Sequence, residues 1–147
     1  MTTNTIEREI VIAAPPERVW DIVTQAEHLG TWFADSSAEI DLRPGGELKL
    51  TWKDYGVAEG RVETVEPPHT FAFRWVLEGE EPAEGNATLV VFTLAPEGAG
   101  TRLRVVESGF AELAFDAESR DRHFEEHTKG WRAELDELRA YAESITV

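Results

Sequence analysis

Residues 119–143 read SRDRHFEEHTKGWRAELDELRAYAE, and the spacing of their apolar members decides the fold. Phe124, Thr128, Trp131, Leu135, Leu138 and Ala142 recur at intervals of three and four. They therefore share one stripe of a helix, with charged residues on the opposite face. At ~1.5 Å per residue that helix is about 37 Å long. Gly130 interrupts the pattern. In a helix interior Gly costs about 1 kcal/mol relative to Ala, so its presence predicts that something packs closely beside Trp131.

Upstream of this helix the hydrophobic period is mostly two. TIEREIVIA, residues 5–13, reads as a strand with Ile6, Arg8, Ile10 and Ile12 on one face. Pro15-Pro16 ends it and suits a helix start. A short helix over 15–25 buries Val19, Trp20, Ile22 and Val23, and a second over 26–32 is loosened by Gly30. From Ser36 to Glu107 six strands alternate with turns at Pro44-Gly45-Gly46, Asp54-Tyr55-Gly56, Pro67-Pro68, the acidic run 78–84 and Pro96-Glu97-Gly98. Residues 108–118 are irregular and carry Phe110, Leu113 and Phe115. A sheet with one apolar face must cover it, and only the C-terminal helix is long enough. The order predicts an α+β fold: a curved antiparallel sheet of about seven strands around a long C-terminal helix, two short helices following the first strand. With no linker or internal repeat, residues 1–147 read as one domain.

Composition narrows the function. The chain has 147 residues, and 14 Lys+Arg against 29 Asp+Glu give a net charge of −15. That charge repels phosphates, so nucleic acid and anionic membranes are poor partners. With no Cys there is no disulfide framework, thiolate metal site or Cys nucleophile. No apolar run approaches the ~20 residues of a membrane span. Glu7, Arg8 and Glu9 stand where a signal peptide places its apolar core. The expectation is a cytoplasmic protein.

PPERVWDIVTQAEHLGTWF (15–33), RPGGELKL (43–50), EGRVETVEPPHTFAFRW (59–75), GTRLRVVESGF (100–110) and GWRAELDELRAY (130–141) follow one another in this order. Together they resemble the START-like, birch-pollen-allergen-type superfamily (SRPBCC), and within it the branch named for the activator of the heat-shock protein 90 ATPase. The likeness spans residues 5–143. It implies a helix-grip fold with a hydrophobic cavity between sheet and C-terminal helix. Members bind lipids, sterols or polyketides, or act as cyclases, resistance proteins or co-chaperone domains. The additional N-terminal domain of the eukaryotic activator is not expected in these 147 residues, and no basic docking patch is evident at a net charge of −15, so a chaperone partner is left without support from the residues.

Trp52, Phe71, Phe73, Trp75 and Phe92 on the strands, with Phe124, Trp131 and Leu135 on the helix stripe, either form ordinary core or line a pocket for a flat apolar ligand. Tyr55 and Trp32 lie near loop ends, at the pocket mouth or on the surface. Glu107 falls in phase with Leu103 and Val105, which points it toward the apolar face. Acidic groups are rarely buried unpaired, so the expectation is that the strand ends before Glu107 and leaves it in water. Were it buried, it would serve as a ligand-contacting or acid–base group. His123-Phe124-Glu125-Glu126-His127 matches the H-x-x-E-H pattern of inverted zinc peptidases. A catalytic zinc needs a third protein ligand, and only 20 residues follow His127. No metal or cofactor is expected, and His127 instead offers a hydrogen bond inside the cavity. The leading expectation is a non-catalytic binder of a small hydrophobic or aromatic molecule. The alternatives are a polyketide cyclase- or hydrolase-like enzyme using Glu107 or His127, and a co-chaperone-like interaction module. Under the leading reading, Trp75→Ala or Trp131→Ala weakens binding more than folding.

Overall fold

A computed structural model describes residues 5–34, 36–53, 56–77, 86–114 and 116–145. The expectations for Tyr55, Phe115 and the acidic run 78–84 lie outside them. The elements are β1 (Thr5–Ile12), α1 (Pro16–Thr24), α2 (Ala26–Trp32), β2 (Ser37–Ile40), β3 (Glu47–Trp52), β4 (Gly56–Glu66), β5 (Thr70–Leu77), β6 (Thr88–Glu97), β7 (Gly100–Ser108) and α3 (Ala117–Ile145), with a single 3-10 turn at Phe110–Glu112 before α3. All seven strands form one antiparallel sheet in the order β1-β7-β6-β5-β4-β3-β2. This is the α+β arrangement expected from the order of elements.

Strand alternation builds the core directly. Leu48 and Leu50 on β3, Ala58 and Val62 on β4, Phe71, Phe73 and Trp75 on β5, Val90, Phe92 and Leu94 on β6, and Leu103 and Val105 on β7 are all buried. Many of the residues between them point outward into cross-strand ion pairs such as Arg74–Glu63 at 2.6 Å and Arg104–Glu7 at 2.8 Å. A register shift between Val62 and Thr64 on β4 adds local twist and helps the sheet curl. Gly60 lets β4 close on β5, because a Cβ there would stand 2.6 Å from the Arg74 carbonyl oxygen.

Helix α3 lies against the sheet through Trp131, Leu135, Leu138 and Ala142. It begins two residues before the predicted Ser119 because Asp116 caps it: the Ser119 N–H donates to Asp116 Oδ1 at 2.7 Å. The C-terminal half is fastened to its neighbours. The Ala13 N–H donates to Glu143 Oε2 at 2.9 Å, Arg139 Nε donates to the Val11 carbonyl at 3.2 Å, and His28 Nδ1 meets the Tyr141 hydroxyl at 2.6 Å. The N-terminal half packs His123, Phe124 and His127 against Phe110, and borders open space at Gly130. A Cβ on Gly130 would meet nothing within 4 Å. Rings do pack beside Trp131, Phe33 at 5.5 Å and Phe92 at 5.8 Å, but none of them occupies the space at Gly130. Gly130→Ala should raise stability by about 1 kcal/mol, read as a higher urea midpoint with an unchanged m-value.

Candidate functional site

Strand β7 does not end before Glu107. Both neighbours hold the strand at this position, pairing Glu107 with Ile6 on β1 and Val90 on β6. The side chain consequently points into the core and is 0% exposed, which overturns the expectation that it sits in water. What permits this is a full set of donors. Trp75 Nε1 donates to Oε2 at 2.9 Å, Trp131 Nε1 donates to Oε1 at 2.8 Å, and the Thr88 hydroxyl donates to Oε2. His127 Nδ1 lies 2.7 Å from both oxygens. Burial alone pushes the Glu107 carboxyl up. The charge and hydrogen bond of His127, with the bonds from Thr88 and Trp75, outweigh it and hold the group below the usual carboxylate range. Glu107 is thus a carboxylate at neutral pH, an acceptor only, and His127 Nδ1 must carry the proton between them.

Around this pair the rings are ordered. His123 lies against His127 with centroids 4.2 Å apart, one helical turn away on α3. Burial and the neighbouring His127 push the His123 imidazole down to about 4, so it is neutral at pH 7. Phe110, carried by the 3-10 turn, meets His127 edge-on at 5.6 Å, and Trp75 does so from β5 at 5.6 Å. The H-x-x-E-H spacing thus places both imidazoles on one side of α3, and it turns His127 Nδ1 toward a carboxylate.

Beside His127 opens a cleft of about 600 Å³ between α3 and the β3–β5 part of the sheet. Phe33, Trp52, Trp75 and Trp131 supply its aromatic wall, His127 and Gly130 its helix side, and Glu126, Lys129 and Glu134 its charged rim. Phe33 stacks on Trp131 at 5.5 Å and 26°, and Trp52 stands edge-on to Phe33 at 5.4 Å and 89°. The Trp52 indole N–H is satisfied by the Phe33 carbonyl at 2.9 Å, so only its ring is left for contact. A second hollow of about 300 Å³, lined by charged residues of β2 to β4 such as Glu39, Lys49 and Arg61, contains no aromatic ring.

Of the residues singled out from sequence, Trp52, Trp75, His127 and Trp131 come together at the cleft. Glu107 stands directly behind them. Phe71, Phe73, Phe92 and Leu135 belong to the core and do not line the cleft. Phe124 packs edge-on against Phe110 at 5.1 Å. Trp32 is buried, with its indole N–H donating to the Ile22 carbonyl at 2.8 Å, and so is not at the mouth. Its neighbour Phe33, also buried, lines the cleft instead. The only sequence signal for Phe33 was its position at the end of α2, where the chain turns away from the helix.

Residues 13–143 match the protein family described as Activator of Hsp90 ATPase homolog 1-like protein. Among solved structures, the Mesorhizobium loti protein MLL2253 is 26% identical with a TM-score of 0.81, over 97% of this chain and 99% of that one. CalU16 from Micromonospora echinospora is 26% identical with a TM-score of 0.71, over 94% of this chain and 75% of that one. The Aha1 dimer from Colwellia psychrerythraea is 20% identical with a TM-score of 0.74, over 96% and 97% of the two chains, and shares the fold. No curated protein matches the sequence.

Proposed function

The chain belongs to the Activator of Hsp90 ATPase homolog 1-like family, and from that premise we propose that it binds a small, flat, apolar molecule in the α3–sheet cleft, without catalysis and in the cytoplasm. One observation carries the reading: a cleft of about 600 Å³ whose wall is four aromatic rings and whose polar lining includes a histidine backed by a buried carboxylate. Ligand sites are typically concavities of this order, mostly apolar, with few polar groups that fix orientation. Burying ~300 Å² of apolar ligand surface is worth about 7.5 kcal/mol before association costs.

Native and denaturing mass spectra of freshly purified protein test the reading first. A mass excess that vanishes on denaturation identifies a carried molecule. The neutral fluorescent probe N-phenyl-1-naphthylamine then reports on the cleft itself. Trp52 is the half-buried ring of the wall and carries little of the core. Trp52→Ala should therefore weaken the probe by about tenfold while the thermal midpoint moves only a few degrees. Unchanged affinity would place the probe, and the proposed site, elsewhere. The family's name also raises heat-shock protein 90 as a partner, and a chain that immobilised chaperone fails to retain would end that alternative.

A further inference from the structure

We infer that the molecule held in this cleft carries a weakly acidic hydroxyl, phenolic or enolic, that hydrogen-bonds to His127 Nε2. The inference rests on the binding reading above and names its ligand class. His127 is 9% exposed at its side chain and lines the cleft. Its Nδ1 is committed to Glu107 at 2.7 Å. Its Nε2 makes no hydrogen bond among the described residues. Trp75, Trp131 and Thr88 already direct their donors at Glu107, so that carboxylate does not release His127 to turn over. The ring is thus held in one tautomer and one orientation, as a carboxylate holds an imidazole whose other nitrogen does the work.

The chemistry of Nε2 then selects the ligand. A neutral Nε2 accepts a hydrogen bond, and a protonated one donates. An ether or ketone oxygen satisfies only the second state. An ammonium group satisfies only the first, and is repelled in the second. A carboxylate needs the protonated state throughout, and it would approach past Glu126 and Glu134 on a chain of net charge −15. A hydroxyl satisfies both, donating as O–H···N to the neutral ring and accepting as N⁺–H···O from the protonated one, and a weakly acidic hydroxyl adds a stronger, charge-assisted bond by passing its proton to the neutral ring as O⁻···H–N⁺. The ring bearing that hydroxyl would extend along Trp52 and Trp75, the wall on the sheet side of the cleft.

Calorimetric titration of the intact protein with 1-naphthol and 1-methoxynaphthalene isolates the hydroxyl, because the two share one ring system. Naphthol should bind about tenfold more tightly, and His127→Leu should bring the two within about twofold while retaining the methoxy compound. If the variant does not fold, the wild-type ratio stands as the test, together with a red shift of the bound naphthol absorbance as its proton is shared. Equal wild-type affinities overturn the inference and leave the binding reading intact. A ratio that survives in folded His127→Leu overturns the role of His127, and tighter binding of 1-naphthoate than of naphthol overturns the choice of acid. Failure of every naphthalene to bind overturns the binding reading itself.

Discussion

Glu107→Ala is expected to remove about 3–5 kcal/mol from the free energy of unfolding, measured by urea denaturation at pH 7. The cost is not that of a lost salt bridge alone. Trp75 Nε1, Trp131 Nε1, the Thr88 hydroxyl and His127 Nδ1 all converge on this one carboxylate, and truncation leaves four donors in the core without an acceptor. Glu107→Gln keeps the shape but turns an NH₂ group toward N–H and O–H donors, so it too should destabilise. In a cycle with His127→Leu, the double variant should lose less than the sum of the singles, because each single strands the other's partner. A Glu107→Ala protein within 1 kcal/mol of wild type would show that these donors find water instead.

The same groups set the response to acid. The folded His123 titrates near 4 against an ordinary value of 6.5, so the unfolded chain takes up a proton at higher pH than the folded one. Stability from this group is full above 6.5 and drains away as pH falls toward 4. Glu107 acts in the same direction lower down. Its folded value lies below the ordinary 4.5, so its contribution is present above that pH and is lost as the carboxylate is protonated beneath it. Urea midpoints should therefore fall monotonically below pH 6.5, and His123→Gln should flatten the upper part of that curve.

The fold was legible because its signals are local and repeated. The three-and-four spacing of Trp131, Leu135, Leu138 and Ala142 and the period-two strands such as Phe71-Phe73-Trp75 each specify an element and its inward face. The site was legible only in part. Phase along β7 pointed Glu107 inward, but whether a carboxylate can stay there depends on donors from β5, β6 and α3, which no local pattern reveals. Gly130 was ambiguous for a related reason: a helix glycine signals a special environment, and a close neighbour and an open cleft leave the same mark in the sequence. Phe33 escaped notice because nothing at a helix end tells which of two adjacent rings, Trp32 or Phe33, turns to the cleft.

Trp131→Ala carries the second large effect, and it runs against the expectation that this ring serves binding more than folding. Trp131 is 2% exposed, stacks on Phe33, meets Phe92 edge-on at 5.8 Å and donates to Glu107. Truncating such a ring costs about 3–5 kcal/mol in the cavity and lost transfer energy alone. The unfolding midpoint should drop steeply, and probe binding should fall with it because the cleft wall collapses. Trp131→Phe separates the two roles of the indole. It keeps most of the apolar area but removes the N–H, so its cost should be that of one missing donor to a buried carboxylate, about 1–3 kcal/mol. Trp75→Phe should behave alike through Oε2, whereas Trp52→Phe, whose N–H serves only the Phe33 carbonyl, should cost less. If Trp131→Phe and Trp52→Phe instead lose the same amount, the indole N–H of Trp131 is not what holds Glu107, and the buried carboxylate is sustained by His127, Thr88 and Trp75 without it.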